Sequence, residues 1–264
     1  MSNADWDPVQ YERFKEQRAQ PFWDLVDLVR IDGEGFGRGV DLGCGTGELT
    51  ALVAERLRCA EMVGVDNSPS MLAAARSHTS TTVRFEHGDI GGWTAPGDHD
   101  LVLSNAALHW VPDHPAVLAR WVAGLVPGGQ LAVQVPANPD HPSHLSSVAV
   151  AYTEPFLSAM GGEPPPDPVA VNVLRPEQYA ELLFELGLAE QDVRLQVYPH
   201  VLPTSAHVVE WTRGTSLTRF FARLPDELHE PFVEAYRTEL LSRIGEAEPY
   251  FFAFKRILMW ARVA

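Results

Sequence analysis

The segment V-D-L-G-C-G-T-G, from Val40 to Gly47, constrains the fold of this chain more than any other part of its sequence. An apolar run stops at Asp41 and enters three glycines at alternate positions, which is typical of a buried strand that meets a tight turn. Glycine lets the backbone of such a turn approach a bound group closely. A turn between a strand and a helix can also contain several glycines without binding anything, so the segment alone leaves the ligand open.

A second apolar run ends in V-G-V-D at Asp66, which lies 19 residues after Gly47. Folds that bind dinucleotides place a carboxylate at about this distance, where it accepts hydrogen bonds from the two hydroxyl groups of a ribose. The glycine turn and Asp66 together therefore predict a site for an adenosine-containing ligand.

The spacing of the glycines narrows the choice of ligand. The fingerprint for nicotinamide and flavin dinucleotides, G-x-G-x-x-G/A, needs a small residue at position 48, where this chain has Glu48. A carboxylate in the first turn of the helix would repel a pyrophosphate that binds there. Asp41, Gly43 and Gly45 instead suit a ligand with a cationic amine and no phosphate. S-adenosylmethionine (SAM) has these properties and is the predicted cofactor, with a nicotinamide dinucleotide as the alternative.

Apolar segments alternate with helical patterns from residue 39 onward, and the connections between them are short. This rhythm predicts an α/β fold with a doubly wound, mostly parallel sheet that is covered on both faces. We expect one domain over residues 1–264, with a helical arm at 1–35. Helical insertions at 137–175 and 200–245 are expected to form a cap over the carboxyl ends of the strands, where open α/β sheets bind ligands.

Polar side chains occur at the ends of four successive predicted strands, and these are Asp41, Asp66, Asp89 and Asn105. Aspartate and asparagine are common wherever a strand becomes a turn, so each has a structural alternative. All four would lie on one rim of a parallel sheet, which favours a shared role in binding SAM. Asp41 is expected to hold the amino group of SAM, Asp66 the ribose, and Asn105 to lie near the transferable methyl group.

The adenine ring of SAM is expected between the second and third predicted strands. Asp89 and the backbone of Ile90 would meet the polar edge of the ring, and Asn67 and Met71 would flank its faces. Gly43 and Gly45 would let the backbone pass beneath the methionine part of the ligand.

The formal net charge of −15 argues against nucleic acid as a substrate. A nucleic-acid enzyme needs lysine and arginine along a groove, and this chain has only two lysines, Lys15 and Lys255. A small-molecule acceptor is therefore expected. If that acceptor is anionic, its pocket has to be locally basic within an acidic protein.

Other features set further expectations. The apolar runs are too short to span a bilayer and the N-terminal stretch is polar, so we expect no membrane segment and no secretory signal. Cys44 and Cys59 predict reduced thiols in a cytoplasmic protein. No H-E-x-x-H, paired C-x-x-C or calcium loop occurs, so no metal site is expected. Nothing in the sequence indicates an obligate protein partner.

Four motifs together, V-D-L-G-C-G-T-G, V-D-N-S-P-S-M, G-D-I and L-S-N-A-A-L-H-W, resemble those of the class I SAM-dependent methyltransferases over residues 35–136. This resemblance implies a seven-stranded sheet with an antiparallel final strand and SAM as the cofactor. Three further segments, W-D-P-V-Q-Y-E-R-F, N-A-A-L-H-W-V-P-D-H and A-V-Q-V-P-A-N, are similar to the trans-aconitate methyltransferases. His109 departs from that family, in which glutamine is expected.

The narrower resemblance implies methyl transfer to a carboxylate of a small tricarboxylic acid. A carboxylate is already ionised at neutral pH, so no catalytic acid or base is expected. The acceptor needs cations or neutral donors, and arginine is favoured because its fork matches a carboxylate. The candidates are Tyr11, His109, Trp110, Arg175 and Arg219, although each arginine alone could be a solvated surface charge. The functional alternatives are another small acid, an acyl carrier or a natural-product hydroxyl as acceptor, a nicotinamide-dependent oxidoreductase, and a SAM-binding module without turnover.

Overall fold

The computed structural model describes residues 15–188 and 190–264, which fall into two compact units. The first, called the sheet unit here, consists of Arg18–Ala137, Asn172–Gln196 and Lys255–Ala264. The second, called the helical unit, contains Asn138–Val171 and Val197–Phe254. The predicted division into a single domain, an arm and a cap over the strand ends stays a prediction.

The secondary structure alternates between strands and helices through the first half of the chain. The strands are β1 Arg38–Leu42, β2 Glu61–Asp66, β3 Val83–His87, β4 His99–Asn105, β5 Leu125–Pro136, β6 Glu190–Leu202 and β7 Tyr250–Arg262. The helices of the described residues are α1 Lys15–Val26, α2 Glu48–Arg56, α3 Pro69–Ala75, α4 His114–Ala123, α5 Pro142–Ala151, α6 Phe156–Ala159, α7 Pro168–Asn172, α8 Pro176–Glu185, α9 His207–Arg213, α10 Thr218–Phe221 and α11 His229–Ile244. Short 3₁₀ turns lie at Arg76–His78, Leu108–Trp110 and Asp226–Leu228.

The strands of the described residues form one seven-stranded sheet in the order β3-β2-β1-β4-β5-β7-β6. The pairs among β1 to β5 are parallel, and β7 runs antiparallel to β5. The predicted α/β fold with a doubly wound, mostly parallel sheet is therefore confirmed, as is the antiparallel final strand. This order places β1 between β2 and β4, so the ends of those two strands lie on either side of the glycine turn.

The central strands are apolar on both faces, because helices cover both sides of the sheet. Val40 and Val102 contribute to a core with Trp121 of α4, whereas Leu101 contributes to the core on the opposite face with Phe22 of α1. The alternation of faces along β4 follows from the two-residue period of a strand. The buried strands hold the polar residues at their ends in fixed positions.

The helical unit has a hydrophobic core of its own, in which Trp211, Phe220, Phe232 and Tyr236 pack together with Phe252. The sequence pattern predicts longer helices here, at 143–160 and 205–222, and the structure divides each of them. One break falls at Pro155, which has no backbone N–H to continue a helix. The other follows Gly214, which ends α9. Among the described helices, none is long and apolar enough to cross a membrane.

Candidate cofactor site and acceptor residues

The glycine turn after β1 has the backbone geometry that its sequence predicts. Gly43 and Gly45 both have positive φ, at 87° and 55°. A Cβ atom at Gly43 would clash with the Cβ of Ala107, so the loop after β4 packs directly on this glycine. A Cβ at Gly45 would meet nothing within 4 Å. Gly43 is therefore needed for packing, whereas Gly45 faces open space that a ligand can fill.

Asp66 at the end of β2 is held by two backbone donors. Its Oδ2 accepts a hydrogen bond from the N–H of Gly45 at 2.9 Å, and its Oδ1 accepts one from the N–H of Ser68 at 2.8 Å. Each carboxylate oxygen can accept more than one bond, so both keep capacity for a second donor. The carboxylate is fixed against the glycine turn and can still accept hydrogen bonds from a ribose diol.

Asp41 is a buried carboxylate at the end of β1, with 4% of its surface exposed. Burial raises its pKa to about 6; the hydrogen bond from Thr50 Oγ1 at 2.5 Å opposes this rise, and the negative charge of Asp66 adds to it. The negative charge of Asp66 disfavours ionisation of Asp41, because no cation among the described residues neutralises the pair. A cationic amine beside Asp41 would relieve this cost.

The residues assigned to the adenine ring lie around the ends of β2 and β3. Ile90 is buried and its carbonyl accepts a bond from Nε1 of Trp121 at 3.0 Å, which fixes the backbone at this position. Asp89 is exposed and accepts from the N–H of Gly91 at 3.0 Å. Met71 is buried at the start of α3, and Asn67 is exposed. Their contacts with adenine stay a prediction.

Asn105 at the end of β4 carries a buried side-chain oxygen with no hydrogen-bond partner among the described residues. Gln134 of β5 is the register partner of Asn105 in the sheet. Its side-chain oxygen is also buried and also has no hydrogen-bond partner among the described residues. Buried polar atoms are normally hydrogen-bonded, so two adjacent acceptors without donors indicate a place where a ligand or water supplies them. Sequence reasoning missed Gln134; the signal was one amide inside the apolar run A-V-Q-V-P.

His109 and Trp110 lie on the 3₁₀ turn that follows β4, with ring centroids 4.9 Å apart. His109 is buried, and its carbonyl accepts a bond from the side-chain amide of Asn172 at 2.9 Å. The carbonyl of Leu108 accepts from Nε2 of His114 at 3.0 Å. The turn is therefore anchored by residues outside it, which is what a binding residue on a loop requires.

A buried histidine and tyrosine support that turn. Nδ1 of His114 lies 2.6 Å from the hydroxyl of Tyr179, which also accepts from the N–H of Leu174 at 3.2 Å. Burial lowers the pKa of His114. A neutral ring can donate from Nε2 to the carbonyl of Leu108 and accept at Nδ1 from the tyrosine, so both nitrogens are satisfied without a charge.

The other candidate acceptor residues differ in their surroundings. Arg175 precedes α8, its side chain is 71% exposed, and it forms an ion pair of 2.7 Å with Glu177. Arg219 belongs to the helical unit and is buried. Tyr11 lies outside the described residues. The two arginines therefore differ in burial, since Arg219 is buried and Arg175 is exposed. In the sequence they look alike, because each lies next to an apolar residue.

The residues around the glycine turn fit SAM in their donor and acceptor chemistry. Asp41 and Asp66 offer anions to an amine and a ribose, the space at Gly45 is open, and the oxygen of Asn105 needs a donor. In the described part of the chain, no group of three or more histidine, cysteine, aspartate or glutamate side chains is placed so that it could hold a metal ion.

Comparisons with known proteins agree with this fit. Residues 40–129 match the family described as "Methyltransferase domain". The chain is 43% identical over 265 residues to a trans-aconitate 2-methyltransferase of Deinococcus radiodurans, with 97% of each chain covered. It is 40% identical to a trans-aconitate 2-methyltransferase of Mycobacterium tuberculosis, with 98% of this chain and 97% of the relative covered.

Solved structures with low sequence identity share the fold. The YcgJ protein of Bacillus subtilis has a TM-score of 0.59 at 18% identity, with 93% of this chain and 98% of that chain covered. A geranyl diphosphate methyltransferase, solved with GPP and sinefungin, has a TM-score of 0.53 at 17% identity, with 93% and 79% covered. At such identities the likeness concerns the architecture of the chain.

Proposed function

Because this chain belongs to the trans-aconitate 2-methyltransferase family, we propose that it transfers a methyl group from SAM to a carboxylate of trans-aconitate. The observation that carries the proposal is the pair of carboxylates at the glycine turn, Asp41 and Asp66, beside the open space at Gly45. This arrangement suits a ligand that combines an amine, a ribose and a cationic sulfur.

Three residues would hold the polar groups of the cofactor. Asp41 pairs with the α-amino group, Asp66 accepts from the ribose hydroxyls, and Gly45 leaves room for the methionine part. When bound, SAM supplies a methyl group on a sulfonium and departs as a neutral thioether. Asn105, with its buried oxygen, lies at the end of the strand beside β1, on the side of the glycine turn opposite Asp66.

The remaining cofactor contacts are assigned to the adenine ring. Asp89 and the backbone N–H of Ile90 would bind the edge of the ring, while Met71 and Asn67 would lie against its faces. Met71 is buried and can contribute apolar contact, whereas Asn67 is exposed before the ligand binds.

The chain needs no acid or base for this reaction. An acceptor carboxylate has a pKa near ~4 and is ionised at neutral pH, so no proton has to be removed before it attacks. The positive charge of the donor and the negative charge of the acceptor cancel as the ester forms. The residues of the chain therefore act by orienting the reactants and by excluding water, effects that contribute roughly 7–11 kcal/mol in well-aligned reactions.

The candidate acceptor residues are His109, Trp110 and Arg175 in the sheet unit and, taken by itself, Arg219 in the helical unit, whereas Tyr11 lies outside the described residues. Arg219 is the stronger of the two arginines, because a buried guanidinium binds a carboxylate without competition from bulk water. Arg175 is exposed and already paired with Glu177, so a second carboxylate would gain less there.

We also assign the reaction to the cytoplasm, because both cysteines are free thiols. Burial raises the pKa of Cys59 to about 12 and also raises that of Cys44. Both thiols are therefore protonated near neutral pH and poor nucleophiles. Neither nucleic acid, a membrane nor an obligate protein partner is part of the proposal.

The test is transfer of labelled methyl from SAM to single acids. The purified chain is incubated with methyl-labelled SAM and, separately, trans-aconitate, cis-aconitate, citrate, succinate, an acyl carrier and a hydroxylated natural product. Transfer to trans-aconitate is expected, and mild alkali should release the label as methanol because a carboxyl ester forms.

Other results would each contradict a defined part of the proposal. Transfer to a different acid alone would replace the acceptor and keep the reaction class. Label stable to alkali would exclude a carboxyl ester. SAM binding without transfer to any acceptor would favour a binding module, and tight binding of NAD(H) instead of SAM would favour an oxidoreductase.

A further inference from the structure

Thr50 is a polar residue on the face of α2 that packs on the sheet. The buried residues of this helix are Thr50, Val53 and Ala54, which have the spacing of a core-facing stripe. Val53 and Ala54 belong to the hydrophobic core that contains Leu101 of β4. An apolar side chain is the usual choice at such a position, because a buried hydroxyl costs free energy unless it is hydrogen-bonded. The hydroxyl of Thr50 therefore needs a partner within the sheet unit.

That partner is the carboxylate of Asp41. Oγ1 of Thr50 donates a hydrogen bond to Oδ2 of Asp41 at 2.5 Å, and both residues are buried. A threonine on a helix often donates to a backbone carbonyl of the preceding turn, whereas Thr50 donates to a side chain of β1. The distance fits a hydroxyl bonded to an ionised oxygen, for which about 2.5–2.7 Å is typical. The bond joins α2 to the end of β1, where the amine of SAM is proposed to bind.

The other groups around Asp41 do not help it to ionise. Its register partners are Gly64 of β2 and Leu103 of β4, and neither carries a charge. Asp66 is negative and disfavours a second charge on Asp41. Burial, together with the charges of Asp41 and Asp66, raises the pKa of the Cys44 thiol, which therefore stays neutral near pH 7. The surroundings of Asp41 thus favour its protonated form, with one opposing contribution from α2.

The opposing contribution is the hydrogen bond from Thr50. Burial raises the pKa of Asp41 to about 6, and this bond counteracts the rise. A hydroxyl that donates stabilises the carboxylate, whereas a hydroxyl that accepts from a protonated carboxyl does not. Only the carboxylate attracts a cationic amine, so the direction of this one bond affects the binding of such a ligand. The effect acts through Asp41 and requires no contact between Thr50 and the ligand.

We propose that Thr50 is a positioning residue for the cofactor: its hydroxyl holds Asp41 as a carboxylate through Oδ2 and leaves Oδ1 to bind the α-amino group of SAM. The inference rests on the proposed function for the identity of this amine. It makes Thr50 important for ligands that carry the amino-acid part. It makes Thr50 unimportant for 5′-methylthioadenosine, which has the adenosine and the sulfur of SAM but no amine at that end.

The test is the pH dependence of SAM affinity in the full chain, measured by calorimetry from pH 5 to 7.5. Thr50→Val removes the hydroxyl and keeps the branched shape, whereas Thr50→Ser keeps the hydroxyl. In Thr50→Val, the pH at which SAM affinity begins to fall should rise by about one unit from its wild-type value near 6. SAM binding should then be about tenfold weaker at pH 5 and within about twofold of the wild-type value at pH 7.5. Thr50→Ser should restore the wild-type curve.

Three controls separate this role from a structural one. Thr212→Val makes the same change at another buried helical threonine, whose hydroxyl donates to the carbonyls of Val208 and Val209, and should leave the pH dependence of SAM binding unchanged. Affinity for 5′-methylthioadenosine should stay within about twofold in Thr50→Val, because that ligand has no amine for Asp41. Circular dichroism checks folding. If Thr50→Val does not fold, Thr50→Cys replaces it, since a thiol is a weaker donor and should raise the same pH value by a smaller amount.

The outcomes separate the role of Thr50 from the proposed reaction. If the wild-type chain methylates trans-aconitate and the variant lacking the hydroxyl keeps the wild-type pH dependence, the role of Thr50 is wrong and the reaction stands. A loss of SAM affinity that is equal at all pH values, or equal for 5′-methylthioadenosine, also overturns the role. If the wild-type chain binds SAM with the expected dependence on Thr50 but methylates no acid, the reaction is wrong and the role stands. Failure of the wild-type chain to bind SAM overturns both.

Discussion

The backbone N–H of Gly45 donates a 2.9 Å hydrogen bond to Oδ2 of Asp66. This bond joins the turn after β1 to the end of β2, so the glycine turn and the acidic residue form one unit in the fold. Oδ1 of Asp66 accepts a hydrogen bond from the backbone N–H of Ser68, which is the N-cap residue of α3. Loss of the Asp66 carboxylate would therefore affect the shape of the turn as well as any ribose bound to it.

Asp66→Ala is expected to weaken SAM binding by about 1–3 kcal/mol, because a ribose hydroxyl loses its acceptor. It should also lower the melting temperature, since two backbone donors lose their partner. Asp66→Asn keeps one side-chain oxygen, so its SAM affinity and its melting temperature should lie between those of the wild-type chain and those of Asp66→Ala. Calorimetry with SAM and thermal unfolding measure the two effects, and unchanged SAM affinity in Asp66→Ala would exclude the ribose role.

Asp41→Asn is expected to stabilise the ligand-free chain above pH 7. The folded pKa of Asp41 is about 6, against 3.8 for the ordinary group, so its favourable contribution is complete below pH 4 and is lost as pH rises toward 6. The shift corresponds to about 3 kcal/mol. Urea unfolding measures the free energy of unfolding, which should decline less between pH 4 and pH 8 in the variant than in the wild-type chain.

The same substitution should weaken SAM binding, because the amine loses its anion. In the wild-type chain, SAM affinity should fall as pH drops below about 6, where Asp41 takes up a proton. Asp41→Asn should remove most of that pH dependence. A variant that binds SAM as tightly as the wild-type chain at pH 8 would show that the amine binds elsewhere.

The two glycines of the turn should respond differently to alanine. Both have positive φ, which costs an alanine roughly 1–2 kcal/mol. Gly43→Ala adds a clash with Ala107 and should unfold the chain more readily than Gly45→Ala. Gly45→Ala should stay folded and lose SAM affinity, because its methyl group enters the open space. Equal loss of stability in both variants would contradict this distinction.

Much of the sheet unit could be predicted from the sequence, because short stretches of sequence are enough to indicate its strands and turns. Apolar runs that stop at Asp41 and Asp66 indicate where strands end, and the parallel rhythm places those ends on one edge of the sheet. Gln134 could not be recognised in this way. Its importance depends on lying opposite Asn105, and that pairing follows from the sheet order rather than from neighbouring residues.

The helical unit was less predictable, because burial there depends on contacts distant in sequence. The serines of α5 resemble a solvated helix face, yet Ser146 lies in the interior of the unit. Arg175 and Arg219 are equally plausible acceptor residues in the sequence. Only the fold distinguishes the exposed Arg175, paired with Glu177, from the buried Arg219, whose Nε has no hydrogen-bond partner among the described residues.

Tyr179→Phe tests the support of the turn after β4. The variant removes the hydroxyl that bonds to His114 and to the N–H of Leu174, both buried or half-buried. We expect a loss of about 1–3 kcal/mol in the free energy of unfolding, because those partners are left unsatisfied. Tyr152→Phe is the control, since Tyr152 is an exposed tyrosine of the helical unit and its replacement should change nothing. Urea unfolding at pH 8 measures both.

His109 offers the sharpest separation between the cofactor site and the acceptor site. It is buried beside Trp110 on a turn that other residues hold in place, so its replacement should alter contacts more than the fold. His109→Ala is expected to raise KM for trans-aconitate about tenfold, the effect of one lost hydrogen bond, with KM for SAM within twofold. His109→Gln should recover part of the loss, because an amide can donate to a carboxylate as an imidazole does. The reverse split, with KM for SAM raised more, would move His109 into the cofactor site.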